Sequence, residues 1–238
     1  MEIRRLKLGM VNAYLLKGET GFILVDTGPA DQRANLEHEL ESAGCRPDHL
    51  ILVLATHGDS DHVGSCVWLR QKYAAQIALH RAEVEVVQKG DPALNKKIPR
   101  NLMGALIRGI LKLVMLKPSD RFTPDILLED DDKLTGYGLN AQVLHIPGHS
   151  NGSIGVLTPG GEFFCGDLLT NLGNPAPGLG IFDQAEFEAT LYRLKQLNIQ
   201  KVYPGHGKPF QWEQFIKNRH PKAKILPFWS MISKRKDS

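Results

Sequence analysis

Six consecutive apolar residues, 50–55, run directly into Thr56-His57-Gly58-Asp59-Ser60-Asp61-His62. An uninterrupted run rich in Leu, Ile and Val marks a strand covered on both faces. The polar cluster behind it must therefore sit at a strand end inside a layered core. Loops at strand ends, held by a rigid sheet, are where sites are usually built. The same punctuation recurs three times. His149 follows the run 141–146, Asp167 follows 162–165, and His206 follows 201–203. Small or rigid residues flank each of them: Pro147-Gly148-His149, Gly166-Asp167 and Pro204-Gly205-His206-Gly207. Imidazoles and carboxylates gathered in this way form the usual ligand set for Zn, Fe or Mn.

The rest of the chain reads as mixed α and β. Residues 12–17 and 22–26 form a hairpin signal around Gly18 and Gly21, and a helix carrying Leu36 and Leu40 ends near Gly44. A helix over 63–73 and a strand over 76–79 follow. Strands are predicted at 126–128, 141–146, 154–157, 162–165 and 201–203, with helices over 185–197 and 212–218. Residues 90–120 break the alternation and read as an insertion. Their middle, 98–118, forms an amphipathic helix with Leu102, Met103, Leu106, Ile107, Ile110, Leu113 and Val114 on one face. Arg100, Arg108 and Lys112 lie on the other. This helix is expected to pack on its own domain, to wall the substrate pocket, to lie on a membrane surface or to make a homodimer contact. One domain over 1–238 is expected, and the basic end at 234–238 is expected to fray.

Composition removes several classes. With 42% hydrophobic and 23% charged residues the chain can bury a sizeable core. A net charge of +3 and 7% aromatics speak against a nucleic-acid partner. No run approaches the roughly 20 apolar residues needed to span a bilayer, and no signal peptide is evident. Cys45, Cys66 and Cys165 are an odd number at scattered spacings, read as core thiols in a reducing, cytoplasmic setting. His38, His49 and His220 are read as surface residues. His80 is read as structural or supporting, and His145 as packed on the sheet.

His57-x-Asp59-x-Asp61-His62, then His149, Asp167 and His206 in that order, resembles the metallo-β-lactamase superfamily. Asp26-Thr27-Gly28 after an early strand is similar to it as well. The resemblance extends from Asn12 to Pro209. It implies an α/β fold of the αββα four-layer sandwich type and a two-metal site at one edge. Position by position, it implies that His57, residue 59 and His149 hold a first divalent ion. Asp61, His62 and His206 would hold a second, with Asp167 bridging and Asp61 the candidate catalytic residue. A bridging hydroxide would attack a carbonyl carbon.

Asp59 departs from the family, which usually has histidine there. A carboxylate reaches about as far from Cβ as Nδ1 of that histidine. Coordination through Asp59 would place three carboxylates around the ions and favour harder Fe or Mn over the first expectation, Zn. Three functions follow. The leading one is hydrolysis of a small-molecule thioester, lactone or other ester. The second is non-haem iron chemistry of the persulfide dioxygenase kind, on His57, His149 and Asp167 alone. The third is a non-catalytic binding protein on the same fold, with one metal lost through Asp59.

Overall fold

The structure, a computed structural model, describes residues 1–218. His220 and the 234–238 end lie outside the described residues. The chain opens with strands β1 (Glu2–Leu8), β2 (Val11–Lys17) and β3 (Phe22–Val25), then helix α1 (Arg33–Ser42) and strand β4 (Leu50–Leu54). Two helices, α2 (Ser60–Val63) and α3 (Cys66–Tyr73), lead to β5 (Gln76–His80), α4 (Val84–Lys89) and α5 (Leu102–Lys112). Next come β6 (Ile126–Leu128), β7 (Gln142–His145), β8 (Ile154–Leu157), β9 (Glu162–Asn171) and β10 (Pro175–Pro177). Helix α6 (Gln184–Leu194), β11 (Lys201–Gly207), β12 (Phe210–Gln211) and α7 (Trp212–Asn218) close the described chain.

The strands run in the order β6-β5-β4-β3-β2-β11-β9-β8-β7. The two halves join at a single residue pair, His206 with Val11. That narrow seam lets them fold face to face. Tyr14, Leu16, Ile23 and Val25 of one half pack against Val143, Ile154, Val156 and Phe164 of the other. Side chains alternate across a strand, so Ala13, Leu15 and Leu24 turn outward, under Leu36 and Leu40 of α1 and Leu69 of α3. On the far side Phe163, Cys165 and Val202 lie under Phe187 and Leu191 of α6 and Phe215 of α7. Helix, sheet, sheet and helix are thus stacked around three apolar layers, the expected αββα arrangement. The three cysteines are buried and free.

Several elements differ from their expected form. β1 precedes the two runs of the predicted hairpin and pairs along its whole length with β2. The helix over 63–73 is broken at Gly64-Ser65. The Thr27 amide and hydroxyl both donate to the His62 carbonyl, at 2.8 and 2.9 Å, and Ser65 N donates to the Thr27 hydroxyl. These bonds remove the carbonyl and the amide from the helical ladder. The 98–118 helix is shorter, Leu102–Lys112, and buries only Gly104 and Ile107. Asp167 and His206 lie within strands rather than loops. His206 pairs with Thr170 of β9, while Asp167 falls in the irregular stretch between the Pro204–Gly166 and His206–Thr170 pairs, where the register shifts.

Candidate metal centre

The polar cluster after β4 forms the floor of the site. Asp59 immediately precedes α2 with its carboxylate turned to Lys96 and His149, and Asp61 and His62 lie within the helix. His149 lies in the turn after β7, and Asp167 and His206 project from β9 and β11. All seven residues singled out by sequence converge. His57, His149 and Asp167 place one ligand atom each within 4.8 Å of one another, and so do Asp61, His62 and His206. Between the two sets, Asp167 Oδ1 is 3.3 Å from His62 Nε2 and Asp167 Oδ2 is 3.3 Å from His206 Nε2. Asp59 Oδ2 lies 3.7 Å from His57 Nε2 and 3.1 Å from His149 Nε2. Such edges suit ligands that each stand about 2 Å from a common ion.

Hydrogen bonds set the imidazole orientations. The Thr56 hydroxyl donates to the Asp26 carboxylate and accepts from His57 Nδ1 at 3.0 Å. His62 Nδ1 donates to Asp26 Oδ2 at 2.9 Å, and His206 Nδ1 donates to the Met10 carbonyl at 3.0 Å. In each case Nε2 is turned into the site, the arrangement that outer partners impose on metal-binding histidines. Asp26 holds this position with φ of 60°, a left-handed conformation unusual for a non-glycine residue. The bonds it accepts from Thr56 N, the Thr56 hydroxyl and His62 offset that strain. Gly205 completes the cradle, because a Cβ there would stand 2.6 Å from both Asp167 Oδ1 and His62 Cε1.

The residues fit divalent ions. His57 Nε2, His62 Nε2 and Asp167 Oδ1 are buried without a hydrogen-bond partner, a costly state for three polar atoms side by side. Burial and the neighbouring His62 hold His57 well below the ordinary imidazole range, so its lone pair is free. Burial alone would raise Asp167, but His62 and His206 outweigh it and keep the group well below the carboxylate range. Burial alone would lower His62 and His206. The carboxylates of Asp167 and Asp26 lift His62 well above its usual value, while hydrogen bonds to Asp167 and Asp61 push His206 up to about 10.

Two buried residues went unread in the sequence. Lys96 has a side chain only 1% exposed, and its Nζ donates to Asp59 Oδ1 at 2.5 Å. It also stands 5.7 Å from the Phe182 ring centroid. Residues 95–97 form a strap across the site: Asn151 N donates to the Asn95 carbonyl, and Lys97 pairs with Asp183. This strap places Lys96 directly against the first ligand set at Asp59. Glu83 is the second. It accepts from Gly58 N at 2.9 Å, Gly152 N at 3.1 Å and the Ser150 hydroxyl at 2.5 Å, tying the His57 loop to the His149 turn. A Cβ at Gly58 would stand 2.9 Å from Glu83 Oε2. Neither residue carried a sequence signal beyond its type.

Among the described residues, the remaining histidines lie outside the ligand sets. His80 is buried, accepts from Ala82 N and stacks on half-buried His145 with ring centroids 4.5 Å apart. His38 is exposed and His49 half-buried.

A family model of the metallo-β-lactamase superfamily matches residues 6–206. A probable metallo-hydrolase of Methanocaldococcus jannaschii is 27% identical over 201 residues, covering 83% of this chain and 87% of the relative. An acyl-coenzyme A thioesterase of Gallus gallus is 27% identical over 220 residues, covering 87% and 76%. A structure solved in a di-iron-bound form superposes with a TM-score of 0.68 at 26% identity, over 93% of this chain and 99% of that one. Sequence motif, four-layer fold and matching family agree: this chain belongs to the metallo-β-lactamase superfamily, whose fold implies divalent metal binding.

Proposed function

We propose that the protein is a metal-dependent hydrolase, with two ion subsites, that cleaves a thioester or other ester of a small molecule. The observation that carries this reading is the convergence of three buried atoms that make no hydrogen bond, on His57, His62 and Asp167, between two ligand sets. In it, His57, His149 and Asp59 would hold a first ion and Asp61, His62 and His206 a second, with Asp167 standing between the two sets. Divalent ions bound there supply Lewis acidity and bring the pKa of water toward neutrality. The chain's own groups orient and exclude. Asp26 and Thr56 hold the His62 and His57 rings in place, and the Lys96 strap keeps bulk water from the first set. Asp61 is the site carboxylate most open to solvent, with a side chain 41% exposed against 16% for Asp167. It is placed to take the proton that water loses. The water oxygen bonds to the carbonyl carbon, the C–S or C–O bond breaks, and the proton leaves with the thiol or alcohol. The acyl-coenzyme A thioesterase among the relatives supports a thioester first.

Metal content per chain, measured on protein purified without added metal, combined with thiol release from a panel of thioesters, tests this. Two metals per chain with turnover is expected. Metal-free, inactive protein would point to a binding role instead. A second reading, non-haem iron chemistry, draws on His57, His149 and Asp167 being a two-histidine, one-carboxylate set in their own right. One iron per chain with no hydrolysis would favour it.

A further inference from the structure

Helix α5 turns most of its apolar side chains toward solvent. Leu102 is 89% exposed, Leu106 57% and Ile110 41%, with Met103 also exposed, and Leu113 (84%) and Val114 are exposed in the turn just past its C-terminal end. At 100° per residue the four within the helix occupy a continuous sector of about 100°. Only Gly104 and Ile107 are buried against the protein. A contiguous apolar face of this kind marks a surface that is covered in use.

The charge around it identifies the cover. No Asp or Glu occurs between Asp91 and Asp120, while Arg100, Arg108, Lys112 and Lys117 all fall in that interval. Asp120 is committed to Arg33, and Asp91 caps the Ala93 amide. Among the described residues Arg100, Lys112 and Lys117 are exposed and have no carboxylate within ion-pair distance. On the helical wheel Arg108 and Lys112 lie opposite the apolar sector. A second copy packed on this face would offer no acid to the Arg100 and Lys117 that flank the helix, since the segment between Asp91 and Asp120 carries none. An anionic lipid surface matches both halves of the pattern: acyl chains take the leucines, and headgroups take the cations.

We infer that α5 is an in-plane docking helix for an anionic bilayer surface. Arg108 donates to the Ile98 and Pro99 carbonyls, so the helix is fastened to the strap that seats Lys96 in the metal centre. Docking would hold the strap side of the site against the lipid, where amphiphilic acyl substrates partition. The inference stands on the helix alone and does not require the hydrolase reading.

Vesicle co-sedimentation of the full chain, metal-loaded and chelated, tests it. The probes are phosphatidylcholine vesicles and the same vesicles carrying phosphatidylglycerol. Binding to the anionic vesicles is expected to be on the order of 100-fold tighter, from three cations at roughly fivefold each. The pair Leu106→Glu and Leu113→Glu replaces exposed side chains only. It should abolish vesicle binding while light scattering still shows a monomer and metal content is unchanged. Absence of binding to anionic vesicles, or binding untouched by the pair, overturns the inference. So does a dimer in solution that the pair dissociates, which would assign the face to a second copy.

Discussion

Lys96 Nζ lies 2.5 Å from Asp59 Oδ1 in a site where the lysine side chain is 1% exposed. This pair explains the departure at position 59. Burial alone would raise the Asp59 carboxyl, but the Lys96 ammonium and the His149 hydrogen bond hold it well below its usual range. Asp59 and Lys96 together carry no net charge, the same sum as the neutral histidine usual in the family. The extra negative charge that would favour Fe or Mn is therefore offset within the protein. Asp59 still turns Oδ2 toward His57 and His149.

Removing one partner of a buried ion pair leaves an uncompensated charge, at a cost of about 3–5 kcal/mol. Lys96→Met should lower unfolding stability by that amount in urea titration. Lys96→Met combined with Asp59→Asn should recover most of it. Equal stability of wild type and Lys96→Met would show that the pair carries no structural weight.

Asp59→His alone would set an imidazole against a buried ammonium, so it should bind less metal than wild type. Adding Lys96→Met should restore occupancy and shift Zn–Mn competition toward Zn, since nitrogen ligands suit Zn better than Mn. Elemental analysis of the two variants separates the cases. Identical metal content and preference in both would place Asp59 outside the coordination shell.

Asp167 stands 3.3 Å from both His62 and His206 and shares a ligand set with His57 and His149. Asp167→Ala should therefore strip metal from both subsites and abolish turnover, with far-UV circular dichroism unchanged. Full metal content in that variant would refute a bridging role.

Glu83→Ala leaves the Gly58 and Gly152 amides and the Ser150 hydroxyl without their acceptor. Two buried amides at roughly 1–3 kcal/mol each predict a loss of about 2–6 kcal/mol. Glu83→Gln keeps an acceptor and should lose less. Hydrogen exchange of residues 57–62 and 149–153 should rise together in the alanine variant. Independent behaviour of the two segments would dissociate Glu83 from their coupling.

His206 is pushed up to about 10 in the folded protein, against about 6.5 unfolded. Its contribution to metal-free stability is complete below about pH 6.5 and is lost as pH rises toward about 10. His62 shifts in the same direction. Metal affinity has the opposite slope, because ligands must shed protons to bind. The melting-temperature gap between loaded and chelated protein should widen across this window. A chelated protein whose melting temperature does not fall over it would contradict the raised imidazoles.

The sequence alone determined which chemistry-bearing residues converge and in what order. Each chemistry-bearing residue stands behind an apolar run, and such runs become strands whose ends share one edge of a sandwich. That logic is local, so it was legible for His57, His62, His149, Asp167 and His206. It fails where backbone pairing overrides local signals. Gly166 and Pro204 read as loop residues, yet both pair within the β9–β11 ladder, which carries His206 in a strand and Asp167 in the irregular stretch beside it. Thr27 likewise breaks a helix through bonds made some 35 residues along the chain. Only the tertiary structure decided the partner of Asp59. Lys96 is 37 residues away, next to an exposed lysine, and no periodicity separates the two. One is buried because the strap crosses the metal centre and a carboxylate waits beneath it.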